Sequence, residues 1–249
     1  MASPPPPRLG LDLEGGVQNF NAIRGVKDAP DVSFEEAIAI ASQGCPALQG
    51  EDFSGEIFLT TMFADGVSVA DKGSLTNDEI SAINFYTKHT KFYPTLNEVM
   101  RSLNRALVEP FLPYLKLLLS GLYKLPLPDT PKTVYRGVKK QLYADYPADK
   151  KCIWWAFSSA TATINVVNTF IGISGKRSIF AIETRCFVDI RKFSAFQNLE
   201  DERLILPGTL LKVKSVANQG SDLYIIQMED FSSPPLLDFP HPQLKKVIE

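Results

Sequence analysis

Apolar positions recur at helical spacing through the first half of the chain and at strand spacing through the second. Ser33 and Glu36 form an N-terminal capping pattern ahead of Ala37, Ile38 and Ile40, and Gly44 with Pro46 ends that short helix. Over residues 74–124 the texture is helical. Thr76 and Glu79 make a capping box, with Leu75 placed to staple onto Ile80. Thr95 and Glu98 repeat the signature before Val99, Met100, Leu103 and Leu107. Leu115, Leu118, Leu119 and Leu122 give a third stripe, with Gly121 weakening its end and Pro126 and Pro128 closing it. After Asp129, β-rich runs alternate with turn residues: 133–135, 153–157, 178–183, 203–206, 210–216 and 224–228, with a helix expected over 162–171. Residues 1 to about 30, with four consecutive prolines from Pro4 to Pro7, read as loosely ordered. The pattern predicts an α+β fold. Residues 1–70 form a partly irregular extension with a short helix, and residues 71–249 the main domain, with a helical lobe (74–124) followed by a β-rich core (130–232). A cleft between two such lobes is a natural ligand site.

Composition narrows the classes. A net charge of -2 gives no basic track for nucleic acid. The longest apolar run, residues 111–123, carries Lys116 and Pro113 and is too short for a membrane span, so it reads as a buried helix. Cys45, Cys152 and Cys186 are odd in number and widely spaced. They argue against a disulfide framework and for buried thiols in a reducing compartment, hence a cytoplasmic protein. With only His89 and His241, no zinc-ligand spacing exists and no metal is expected. The N-terminus has no apolar segment of signal-peptide type.

Three stretches carry candidate chemistry. In Val134-Tyr135-Arg136-Gly137-Val138, an arginine at a strand offers a planar cation to a diphosphate, and the glycine admits a ligand close to the backbone; a surface Arg-Gly turn is the plainer alternative. In the run from Trp154 to Thr163, strand alternation puts Phe157, Ser159 and Thr161 on one face. Their hydroxyls suit a carboxylate or a ribose, though Ser and Thr also favour a helix N-cap. In the run from Phe193 to Gly208, Glu200 and Glu202 stand two apart, directly before the apolar Leu204-Ile205-Leu206. Such a pair can divide labour, one carboxylate stabilising a developing cation and the other holding a nucleophile; an acidic solvated loop is the alternative.

In this order and spacing, the three stretches resemble the R-S-E class of ADP-ribosyltransferases, over roughly residues 75–230. The closest likeness is to soluble eukaryotic arginine-specific mono-ADP-ribosyltransferases. The resemblance implies a helical lobe packed on a β-rich lobe of two sheets, with an NAD cleft between, and transfer of ADP-ribose from NAD to arginine side chains of acceptor proteins. It implies that Arg136 grips the NAD diphosphate or ribose and that Gly137 offers its backbone to the nicotinamide amide. Ser159 would orient Glu202, with Thr161 beside it in the cofactor site. Glu202 would bind the ribose and stabilise the oxocarbenium ion, and Glu200 would hold the target guanidinium. Phe193 and Phe196 would sit on the substrate-facing loop, and residues 172–176 would cover the cofactor. The family's Ser-Thr-Ser reads Ser159-Ala160-Thr161 here. NAD glycohydrolysis and an inactive NAD-binding module are the alternatives. The expected partners are acceptor proteins with exposed arginines, with no nucleic acid or membrane, and the expected state is a monomer.

Overall fold

The computed structural model describes residues 22–196, 201–230 and 241–245. Six α-helices come first: α1 (Phe34–Gly44), α2 (Ser54–Gly66), α3 (Val69–Lys72), α4 (Asn77–Thr87), α5 (Phe92–Arg101) and α6 (Leu112–Lys124). The strands follow: β1 (Lys132–Val138), β2 (Lys151–Trp154), β3 (Ser158–Thr161), then helix α7 (Ile164–Ile171), β4 (Arg177–Thr184), β5 (Phe187–Asp189), β6 (Glu202–Ile205), β7 (Thr209–Asn218) and β8 (Leu223–Asp230). A last short helix, α8 (Pro242–Lys245), closes the described chain.

Local signals explain several boundaries. The Thr76–Glu79 box forms in full: Thr76 N–H donates to Glu79 Oε2 at 2.8 Å, and Glu79 N–H donates to Thr76 Oγ1 at 3.2 Å. The Thr95–Glu98 signature misleads. Helix α5 starts three residues before Thr95, and Thr95 donates its hydroxyl to Lys91 O at 2.8 Å from inside the helix. Pro94 is tolerated there because first-turn N–H groups have no intrahelical acceptor. Leu103 and Leu107 do not extend the stripe. Helix α5 ends at Arg101, both leucines are exposed, and Arg105 satisfies the freed carbonyls of Met100 and Ser102. Gly121 is a packing residue instead of a weak helix end, because a Cβ there would stand 3.1 Å from Glu79 Cβ and 3.2 Å from Ile83 Cδ1. Helix α2 has no stripe to read: Phe58, Leu59 and Met62 are exposed while Thr60 and Ala64 are buried.

Helices α1 and α2 belong to the same core as α4, α5 and α6. Phe34, Phe53, Phe85, Phe92 and Phe111 make a chain of edge-to-face rings, 5.3–6.0 Å between centroids. The chain before α1 is also built in, since Ala22, Ile23 and Val26 are buried and Arg105 donates to Ala22 O at 2.7 Å.

The strands hydrogen-bond in one eight-strand order, β2-β7-β8-β4-β1-β3-β6-β5, with β4 and β8 parallel. The expected pair of separate sheets is therefore one continuous order. Its seam is narrow: β1 and β3 share a single registered pair, Tyr135 with Thr161. Across that seam Val134, Phe180, Ile182 and Met228 meet Ala160, Phe187 and Ile205 in one apolar cluster. The opposite face of the short β3-β6-β5 part offers Phe157, Val188, Leu204 and Leu206 to the helices. Alternation along β6 thus splits its side chains between two cores. Trp154 and Trp155 make the same split just before β3.

Cys45 and Cys152 are buried, Cys186 is half-buried, and none of the three is in a disulfide. Burial, aided by nearby Asp230, pushes the Cys186 thiol up to about 12, which leaves it inert.

His241 ties the C-terminal segment to the end of α6. Gln243 N–H donates to His241 Nδ1 at 3.1 Å, so the proton sits on Nε2, which donates to Leu125 O at 3.1 Å. Burial holds this imidazole below its ordinary value. The unfolded chain therefore binds the proton more readily, and His241 contributes stability that is present above about pH 6.5 and lost as pH falls. We expect the thermal midpoint to decline between about pH 7 and pH 5, and His241→Gln to flatten that decline. Parallel pH profiles for the two proteins would contradict this.

Candidate active site

The seam between β1 and β3 gathers most of the candidate residues. On β1, Val134, Arg136 and Val138 face the apolar cluster between the two parts of the sheet, while Tyr135 and Gly137 face α7. Arg136 is 3% exposed. Its guanidinium lies 5.7 Å from the centroid of the Trp154 ring, and Nη1 donates to Ser159 O at 3.1 Å. The cation is thus held by an aromatic face and by the backbone of β3.

Strands β3 and β6 are antiparallel, with Thr161 opposite Glu202 and Ser159 opposite Leu204. Ser159, Thr161 and Glu202 therefore share one face, the face that looks toward the helices. Glu202 is 2% exposed. A carboxylate buried this far needs hydrogen-bond donors. Ser159 Oγ donates to Oε1 at 2.8 Å, and Ser194 Oγ donates to Oε2 at 3.0 Å. Thr161 turns its hydroxyl to the backbone, accepting from Thr163 N–H at 3.2 Å at the entry to α7.

The loop before β6 is anchored on α4. Asn84 Nδ2 donates to Phe193 O at 3.0 Å, and Ala195 N–H donates to Thr87 Oγ1 at 2.8 Å. Asn84 and Thr87 are buried on α4. Ser194 is a site residue that motif reading missed, and no local pattern in the sequence points to it.

Other expected positions move. Phe193 lies on the loop before β6, is 2% exposed and packs its ring in the helical core, with its carbonyl held by Asn84. Phe196 remains half-exposed, its ring 4.6 Å from that of His89. Gly137 serves α7: a Cβ there would stand 2.5 Å from Ile171 Cγ2 and 2.7 Å from Val167 Cγ1. Its missing side chain is explained by packing within the chain, without a ligand. Residues 172–176 form a turn fixed by Arg177, whose guanidinium donates to the carbonyls of Gly172, Gly175 and Ser221. Glu200 lies outside the described residues.

On the other face of β6, Arg203 pairs with Asp201 at 2.8 Å and with Asp189 at 3.2 Å, and Arg191 joins both carboxylates. Burial works against the Asp189 charge, yet hydrogen bonds from Arg191 and the charges of Arg203 and Arg191 hold its carboxyl below the usual value. This network fixes the start of β6 from behind.

A groove of about 1130 Å³ opens between α2, α3, the end of α6 and residues 189–193, and none of Arg136, Ser159 and Glu202 lines it. Among the described residues, no group of three or more His, Cys, Asp or Glu is placed to hold a metal ion, and no helix is long and apolar enough to cross a membrane.

The family profile described as NAD:arginine ADP-ribosyltransferase matches residues 68–232. No curated protein matches the chain. Among solved structures, the ADP-ribosyltransferase HopU1 of Pseudomonas syringae is 15% identical, with a TM-score of 0.60 over 82% of this chain and 100% of its own. The ADP-ribosyltransferase Vis of Vibrio splendidus, solved with agmatine, is 18% identical, with a TM-score of 0.54 over 86% of this chain and 93% of its own. The eukaryotic mono-ADP-ribosyltransferase ART2.2, solved with NADH, is 18% identical, with a TM-score of 0.55 over 80% of this chain and 86% of its own. At these identities the likeness establishes the fold.

The contacts at Gly137 yield a prediction. Gly137→Ala forces α7 away from β1 and costs about 1–3 kcal/mol of stability, to be read from urea unfolding. An unchanged midpoint would mean that α7 does not pack on this glycine.

Proposed function

The chain belongs to the NAD:arginine ADP-ribosyltransferase family, and from that premise we propose that it transfers ADP-ribose from NAD to arginine side chains of acceptor proteins, releasing nicotinamide. The observation that carries this reading is the Glu202 carboxylate, buried, bonded to the hydroxyls of Ser159 and Ser194, and registered opposite Thr161 beside the β1–β3 seam.

NAD is the substrate. As the bond between the ribose C1′ and the nicotinamide nitrogen breaks, its electron pair leaves with neutral nicotinamide, and positive charge grows on the ribose. A preplaced carboxylate stabilises that cation far more than the ground-state ribose. Glu202 fills this role, with Ser159 holding one of its oxygens. Arg136, fixed over Trp154, supplies positive charge for the diphosphate side, and Thr161 and the Gly137 backbone are assigned to the same cofactor. The acceptor guanidinium is protonated and a poor nucleophile. Glu200, two residues before Glu202, is assigned to hold it and to take its proton as the new C1′–N bond forms.

The test is to incubate the protein with NAD and agmatine and to identify the products by mass spectrometry. ADP-ribosylagmatine and nicotinamide are expected in equal amounts; nicotinamide with free ADP-ribose alone would make the protein a glycohydrolase. Glu200→Gln should lower agmatine modification at least about tenfold while hydrolysis of NAD falls far less, since glutamine keeps the size but loses the charge that pairs with guanidinium. A parallel loss of both activities would place Glu200 in bond breaking instead.

A further inference from the structure

We propose that Ser194 is a positioning residue that fixes the second oxygen of Glu202 and thereby ties that carboxylate to helix α4. The proposal rests on the reading of Glu202 as the group that stabilises the ribose cation.

Ser194 is fully buried, and its Oγ lies 3.0 Å from Glu202 Oε2. The same oxygen accepts from Phe196 N–H at 3.1 Å. A hydroxyl has one proton, and an ionised carboxylate only accepts, so the Ser194 proton points at Glu202. Its backbone is equally fixed. Ser194 N–H donates to Ile190 O at 2.9 Å, Phe193 O is held by Asn84 and Ala195 N–H by Thr87. Thr87 in turn donates its hydroxyl to Asn84 O at 2.7 Å, and Thr60 of α2 approaches Asn84 Oδ1 at 3.5 Å.

The consequence is geometric. The Ser159 hydroxyl holds one oxygen of the carboxylate. A second donor on the other oxygen, from a different segment of chain, fixes its plane. The carboxylate is then set before NAD arrives, and no free energy of reorganisation is needed as charge develops. The two donors come from opposite sides: Ser159 from the neighbouring strand, and Ser194 from the loop docked on the helices. The helical lobe therefore reaches the reacting group through the Ser194 hydroxyl.

Two measurements test this. Nicotinamide release by Ser194→Ala should show kcat lowered about ten- to a hundredfold, with the NAD dissociation constant, read by tryptophan fluorescence, changed less than about twofold. Ser194→Cys, which keeps the volume but donates weakly, should lose kcat by a smaller factor. A loss confined to NAD affinity, or no loss, overturns the proposal. Separately, urea unfolding of Ser194→Ala, Glu202→Ala and the double variant forms a cycle that needs no activity. Non-additive losses support the contact, and additive losses overturn it even if the wild-type enzyme is active. Non-additive losses in a wild-type protein that releases no nicotinamide would leave the clamp standing and reject the transferase reading.

Discussion

Burying a carboxylate in the middle of a small protein is expensive unless its oxygens are met by donors. Glu202 sits at that point of tension, and much of the surrounding structure supplies the donors. Strand β3 runs antiparallel to β6 so that Ser159 reaches Oε1. The loop after β5 turns back on α4 so that Ser194 reaches Oε2. Behind the strand, the Asp189, Arg191, Asp201 and Arg203 network holds the start of β6 in place. The contacts come from three separate parts of the chain, which makes the site a product of the whole fold.

The same constraint explains the narrow seam. Strands β1 and β3 pair at one position only, and the sheet's two parts then diverge around a shared apolar cluster. Arg136 lies where they diverge, over Trp154 and against the backbone of β3. Helix α7 covers the outer side of β1, which is why position 137 has no room for a side chain.

What could be read in the sequence was whatever is local. The capping box at Thr76, the strand alternation that places Ser159 and Thr161 together, and the run of Leu204 to Leu206 after Glu202 each declare themselves over a few residues. Contacts between distant segments left no such mark. Ser194 meets Glu202 only because residues 84 and 87 grip the loop from more than a hundred positions away. Phe193 is a loop residue whose burial in the helical core is likewise set by a distant segment. The packing of α7 on Gly137 could not be read either, because a glycine that admits a helix and one that admits a cofactor are identical in a sequence. Helix α2 was hidden because its apolar residues face both inward and outward.

The account stands or falls on the charge of Glu202. Glu202→Gln keeps the size and one hydrogen-bond acceptor while removing the negative charge. We expect nicotinamide release from NAD to fall by about 10²–10³ in kcat, with NAD binding and the unfolding midpoint close to those of the wild type. A variant that releases nicotinamide at nearly the wild-type rate would contradict the assignment of this buried carboxylate to the chemistry.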